Sequence, residues 1–196
     1  MLLDAPTLRL RFEGGMAYQD FVATGEADGH RPPWDQRYEQ LELTDEQRRL
    51  VESFTRQMHV LCLTGTWCGD CALQGAAMAR IAEANPDAID LRFLNRNDHA
   101  DLQVKAPING GFRVPVTWFM AEDFEPVSRF GDRTLSRYRS MARKALGDEA
   151  SNVPTPPPEE PPEDPVRTVL DEVLAEFERV HLLLRLSTRL REKHGD

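Results

Sequence analysis

Apolar positions along the chain recur with two different periods, and each change of period marks an element. Residues 58–63 form a short run rich in aliphatics, the length of a buried strand, and residues 72–84 are good helix formers that stop at Asn85-Pro86. Ile89, Leu91 and Phe93 alternate with Asp90 and Arg92, which predicts a strand; residues 116–120 and 127–130 predict two more, antiparallel around Glu122-Asp123. Thr44-Asp45-Glu46-Gln47 has the form of a capping box, and Leu50, Val51 and Phe54 behind it predict a helix to about Gln57. Leu135, Tyr138, Met141, Ala142 and Ala145 share one face of a further helix that should stop at Gly147. Between residues 97 and 111 the pattern predicts a short helix over 100–105 and a flexible lip at Asn109-Gly110-Gly111. The alternation of strands and helices predicts an α/β fold.

The flanks differ from this centre. Residues 1–43 read as an N-terminal extension with turn clusters at Gly14-Gly15 and 28–33 and a short helix over 16–22, whose aromatics Tyr18, Phe21, Trp34 and Tyr38 should pack on the core. Residues 44–147 form the central domain. Residues 148–165 are a Pro/Glu-rich linker: half of the chain's 14 prolines fall there, and such a stretch favours extended polyproline II. Residues 166–196 predict one long amphipathic helix, to about Lys193, with Val166, Val169, Leu170, Val173, Leu174, Phe177, Val180 and Leu184 on a broad apolar face and Leu183 at its edge. At a rise of about 1.5 Å per residue it would be about 40 Å long. That face must be covered by the same domain, by a second copy in a homodimer, or by another protein, and removing the helix should change assembly more than chemistry.

Composition narrows the function. A formal net charge of −9 argues against a nucleic-acid binder, and the one locally basic stretch, Arg185, Arg189, Arg191 and Lys193, suits a solvated helix end. No apolar run approaches the length of a membrane span, and the start lacks a basic segment followed by an apolar one. Only 3 cysteines occur, too few for the disulfide framework of a secreted protein. The expectation is a cytoplasmic protein that binds neither membrane nor nucleic acid.

Two of those cysteines stand in Trp67-Cys68-Gly69-Asp70-Cys71, where a strand should turn into a helix. A pair at this spacing can switch between dithiol and disulfide. Unpaired N–H groups and the positive end of the helix favour a thiolate at Cys68, which makes Cys68 the attacking thiol and Cys71, inside the first turn, the resolving one. Half a zinc site has the same spacing, but Cys62 lies within a strand and His59 and His99 have no ligand-like spacing to the pair, so redox chemistry is preferred over a metal. Trp67 gives the site an apolar rim. Pro115 precedes the strand at 116–120, where a residue unable to donate to the sheet marks a turn.

With these features the chain resembles the thioredoxin superfamily, specifically thioredoxin-like proteins with a Trp-Cys-Gly-Asp-Cys motif, over roughly residues 44–147. The resemblance implies a thioredoxin-like fold, a central mixed sheet flanked by helices. It implies Cys68 as nucleophile, Cys71 as resolving thiol, Trp67 as rim aromatic, and Pro115 as a cis-proline beside Val114, whose backbone offers hydrogen bonds to an extended substrate. Phe130-Gly131-Asp132-Arg133 falls at the family's glycine loop. Three positions depart from the thioredoxin pattern: Cys62 replaces the buried acid, Ala76 replaces the proline that kinks the helix, and Asp70 replaces the motif proline. The Asp70 carboxylate should oppose a thiolate on Cys68, or relay the proton from Cys71.

Two functions follow as expectations. One is a thiol–disulfide oxidoreductase, a disulfide reductase without cofactor or metal, that acts on a disulfide-containing protein or a small thiol substrate and is regenerated by a thiol reductase or other reductant. The other is a thioredoxin-fold interaction or redox-sensing protein without turnover.

Overall fold

β1 (Met58–Thr64) runs through the middle of the molecule, and every one of its residues is buried. It pairs in parallel with β2 (Ile89–Asn95) and antiparallel with β3 (Val116–Met120), which pairs antiparallel with β4 (Pro126–Gly131). The strand order is β2-β1-β3-β4. Met58, Val60 and Cys62 point to one core of the sheet and Leu61 and Leu63 to the other. Because both faces are covered, the strand carries a continuous apolar run, not an alternation. These are the residues 3–146 and 163–195 described by the computed structural model; the expected stop at Gly147 and most of the 148–165 linker lie outside them.

On the smaller core, α1 (Ala5–Glu13) and α6 (Ala100–Val104) lay Leu8, Phe12 and Leu102 on the sheet. The larger core holds α2 (Tyr18–Ala23), α3 (Arg31–Gln40), α4 (Asp45–Glu52), the central α5 (Gly69–Ala84), and α8 (Pro165–Leu186). The described part of the N-terminal segment, residues 3–43, therefore holds three helices. Tyr18, Phe21 and Trp34 are buried against Phe93 of β2, while Pro32 and Pro33 occupy the first turn of α3, where a missing N–H costs nothing.

Four elements differ from the sequence expectation. The Thr44 capping box is present, but α4 ends at Glu52 and not near Gln57. The Ser53 hydroxyl donates back to the Leu50 carbonyl at 2.6 Å, after which Phe54 and Arg56 turn inward, Arg56 pairing with Glu122 at 3.3 Å. Asn109-Gly110 forms a closed turn, with Ile108 and Gly111 exchanging two 3.0 Å backbone hydrogen bonds, in place of an open lip. α7 (Leu135–Leu146) buries none of its residues and leaves Leu135, Tyr138 and Met141 exposed. The long helix is broken: α8 ends at Leu186, and Ser187 caps a separate α9 (Thr188–His194).

The apolar face of α8 is covered by its own chain. Val169, Leu170, Val173, Leu174, Phe177, Val180 and Leu184 are buried in the core shared with α5, and Phe177 meets Phe119 of β3 edge to face at 5.0 Å between ring centres. The basic stretch at the end is tied down as well. Arg189 and Lys193 both bind Asp123 in the β3–β4 turn, and the Arg189 guanidinium, ahead of the opposing effect of burial, holds that carboxyl below the ordinary carboxylate range. Among the described residues no helix is long and apolar enough to cross a membrane.

Candidate active site

The site forms where β1 hands over to α5. Cys68 is the N-cap of α5, in extended conformation, and its Sγ accepts a hydrogen bond from the Cys71 backbone N–H at 3.3 Å. One helical turn in, Cys71 is buried, whereas Cys68 is partly exposed. The helix thus begins three residues earlier than the run of helix formers suggests, and the cysteine itself serves as the cap.

The two thiols are electrostatically divided. Hydrogen bonding from the Cys71 side chain pulls the Cys68 pKa down to about 7, helped by the Cys71 N–H and opposed by burial and by the Asp70 charge. Burial, together with that same hydrogen bond, holds Cys71 well above the usual thiol value. The Thr64 hydroxyl, itself buried with no hydrogen bond of normal geometry, interacts with Cys71 and opposes the rise. Near neutral pH the accessible sulfur is therefore the one that titrates between thiol and thiolate, while the buried one keeps its proton. Cys62, on the same face of β1, is fully buried and pushed up to about 12. All three cysteines are free thiols.

Each remaining residue singled out in the sequence has a defined place. Trp67 is 51% exposed at the rim, with the Arg96 guanidinium 5.6 Å from its ring centre. Arg96 and Gln103 both donate to the Phe112 carbonyl, at 3.1 and 3.0 Å, and the Phe112 side chain adds a second exposed aromatic, 53% exposed. The Val114–Pro115 bond is cis, and the Val114 carbonyl lies 3.9 Å from Cys68 Sγ. Gly131, at φ +124°, backs directly onto Pro115: a Cβ there would stand 2.2 Å from the Pro115 carbonyl oxygen, so no other residue fits.

Asp70 is engaged on both oxygens, Oδ1 by Arg137 Nε at 2.8 Å and Oδ2 by Arg133 Nε at 2.7 Å. Both carboxylate oxygens thus carry a charge-assisted hydrogen bond, and the negative charge of Asp70 acts against a thiolate on Cys68. Arg133 also donates to Asp132 at 3.1 Å. Asp132 is buried, and although burial alone would raise its pKa, hydrogen bonds from Tyr138 at 2.5 Å and Arg113 at 3.0 Å win and hold it low. Residues from the motif, the Pro115 loop, the glycine loop and α7 are thereby locked in one ionic network.

Sequence reasoning missed the support from residues 1–43. Trp34 of α3 donates Nε1–H to the Thr66 carbonyl at 2.7 Å, and His30 Nδ1 lies 3.0 Å from the Thr66 hydroxyl, so α3 braces the residue just before Trp67. Gly75, one turn beyond Cys71, makes room for the Trp34 ring; a Cβ there would be 2.5 Å from it. A glycine inside a run of helix formers was the available signal. Among the described residues no cluster of three or more His, Cys, Asp or Glu side chains is disposed to hold a metal.

The thioredoxin family pattern matches residues 15–144, well over half of the chain, and the protein belongs to that family. The match begins inside the N-terminal segment, in keeping with the packing of α2 and α3 on the sheet. Among solved structures, a Pseudomonas aeruginosa protein of unknown function is similar at 18% identity and a TM-score of 0.66, covering 91% of this chain and 99% of its own. An HIV epitope-scaffold is similar at 16% identity and a TM-score of 0.59, covering 91% and 97%. Both likenesses concern the fold alone. A comparison with curated protein sequences finds no match.

Proposed function

We propose that the protein is a thiol–disulfide oxidoreductase that works as a disulfide reductase. The observation that carries this reading is the division of the pair: an accessible Cys68 with a pKa of about 7 at the start of α5, and a buried, protonated Cys71 hydrogen-bonded to it. Cys68 thiolate attacks one sulfur of a substrate disulfide, forming a Cys68–substrate mixed disulfide and releasing the first substrate thiolate. Cys71 then loses its proton and attacks Cys68 Sγ, which breaks the mixed disulfide, releases the second thiol and leaves a Cys68–Cys71 disulfide. Two electrons pass from the dithiol to the substrate, and a thiol reductant must return them. This direction suits a reducing, cytoplasmic compartment. Val114 beside Pro115 offers its backbone to the substrate, and Trp67 and Phe112 form the apolar rim.

A turnover assay with an external thiol reductant and a disulfide substrate tests the reading. Cys68→Ser should abolish reduction, and Cys71→Ser should accumulate the mixed disulfide on Cys68, seen as a mass adduct. Full turnover in Cys68→Ser would overturn it.

A further inference from the structure

A cleft of about 550 Å³ opens beside Cys68 and Asp70, bounded by Arg37 and Pro33 of α3, Arg133, Arg137 of α7, and Pro165 and Val166 at the start of α8. Its size is that of a small-molecule site. Its charge is opposite to that of the protein: three guanidinium groups face one carboxylate, Asp70, in a chain whose net charge is −9. Asp164, next to the rim, points its carboxylate at the N–H groups of Val166 and Arg167 in its own helix. Arg133 and Arg137 already hold the Asp70 carboxylate with one N–H each from Nε, Arg133 gives another from Nη1 to Asp132, and Arg37 makes its hydrogen bond to the neutral Gln40 side chain at 2.7 Å. Guanidinium N–H groups beyond those remain for a second carboxylate.

We propose that this cleft selects small disulfides that carry a carboxylate, with Arg37 and Arg137 binding the carboxylate while Cys68 attacks the sulfur. The proposal rests on the reductase reading above and names its substrate class. A positive cleft in an acidic protein raises the local concentration of an anion and repels a cation, so the selection acts on the rate of encounter as well as on binding. The chemical step is the one already written: the substrate disulfide gains two electrons and leaves as two thiols, and the Cys68–Cys71 dithiol becomes a disulfide.

The test mixes the reduced full-length protein with 3,3′-dithiodipropionate, bis(2-hydroxyethyl) disulfide or cystamine, which are anionic, neutral and cationic, and follows oxidation of the Cys68–Cys71 pair. Each rate is divided by that of the neutral dithiol dithiothreitol with the same disulfide. The expected order is anionic, neutral, cationic, with the anionic-to-neutral ratio near tenfold at low salt and shrinking as salt is added. In the Arg37→Gln/Arg137→Gln double variant that ratio should fall about tenfold, the loss expected of charge-assisted hydrogen bonds. Any change in Cys68 basicity from freeing Asp70 affects all three disulfides alike and cancels in the ratio. A wild-type ratio near one, or a ratio retained in the double variant, overturns the proposal and leaves the reductase reading standing. Failure of all three disulfides to oxidise the pair overturns both. A larger ratio for a Glu-flanked peptide disulfide too bulky for the cleft would also overturn it, in favour of acidic polypeptides.

Discussion

Cys68 and Cys71 stand one helical turn apart, and the hydrogen bonds received by the first and the burial of the second fix which of them titrates near neutrality. The folded-state pKa of Cys68 is lowered, so its thiolate is present above about pH 7 and is lost as pH falls through that value. Its rate of alkylation by iodoacetamide should rise tenfold per pH unit below 7 and level off above it, with Cys71 unreactive over the same range. Replacing Asp70 by Asn removes a like charge and releases two guanidinium groups beside the sulfur, and both changes favour the thiolate. The alkylation midpoint should therefore fall, by about one pH unit; Arg133→Gln should move it the other way. A midpoint unchanged in both variants would show that Asp70 exerts no electrostatic control. At this scale the cysteine pair, the Trp67 rim and the cis geometry of Pro115 were legible, because each is a local motif or carried by the resemblance. The two arginines on Asp70 were not. They lie 63 and 67 positions further along the chain, and only the fold brings them back.

Among elements, those with strong periodicity or a cap read clearly, and those held by long-range contacts did not. α4 announces itself through Thr44 and Gln47, which satisfy each other's backbone donors, whereas α3 carries two prolines in its first turn and only Trp34 and Tyr38 as anchors. Its role is visible only in three dimensions, as the brace under Thr66. Trp34→Phe keeps the ring packing but leaves the Thr66 carbonyl without its donor, which should cost about 1 to 3 kcal/mol in chemical denaturation. The same variant should alter Cys68 alkylation, since Thr66 leads directly into Trp67; an unchanged rate would reduce α3 to a purely packing role. Gly131 makes the sharper case. Ala at this position meets the Pro115 carbonyl oxygen and must adopt φ +124°, so Gly131→Ala should lose about 2 to 6 kcal/mol from overpacking and backbone strain together. A denaturation midpoint equal to that of the wild type would mean the Pro115 loop can retreat.

At the scale of the whole molecule, the long C-terminal segment is a wall of the domain. Its apolar face was legible from the sequence, but periodicity alone cannot say what a face is laid against, nor that a serine at 187 will turn the chain into a second short helix. With α8 against α5, and with Pro165 and Val166 at the cleft beside Cys68, removal of residues 147–196 acts on fold and site together. The magnitudes decide between loss of folding and mere exposure of a patch. The seven apolar side chains that α8 buries are each worth about 1.5 to 3 kcal/mol, or about 10 to 20 kcal/mol in all before the entropy of ordering the segment is subtracted. A domain of this kind has only about 5 to 15 kcal/mol of net stability. The truncated chain should therefore lose cooperative unfolding and bind a hydrophobic dye, and should not survive as an active domain with altered assembly. Adding residues 163–196 as a separate peptide should restore part of the near-ultraviolet circular dichroism if the helix docks without the intervening linker. A truncated chain that unfolds cooperatively and still reduces disulfides at the full rate would show that residues 3–146 are self-sufficient.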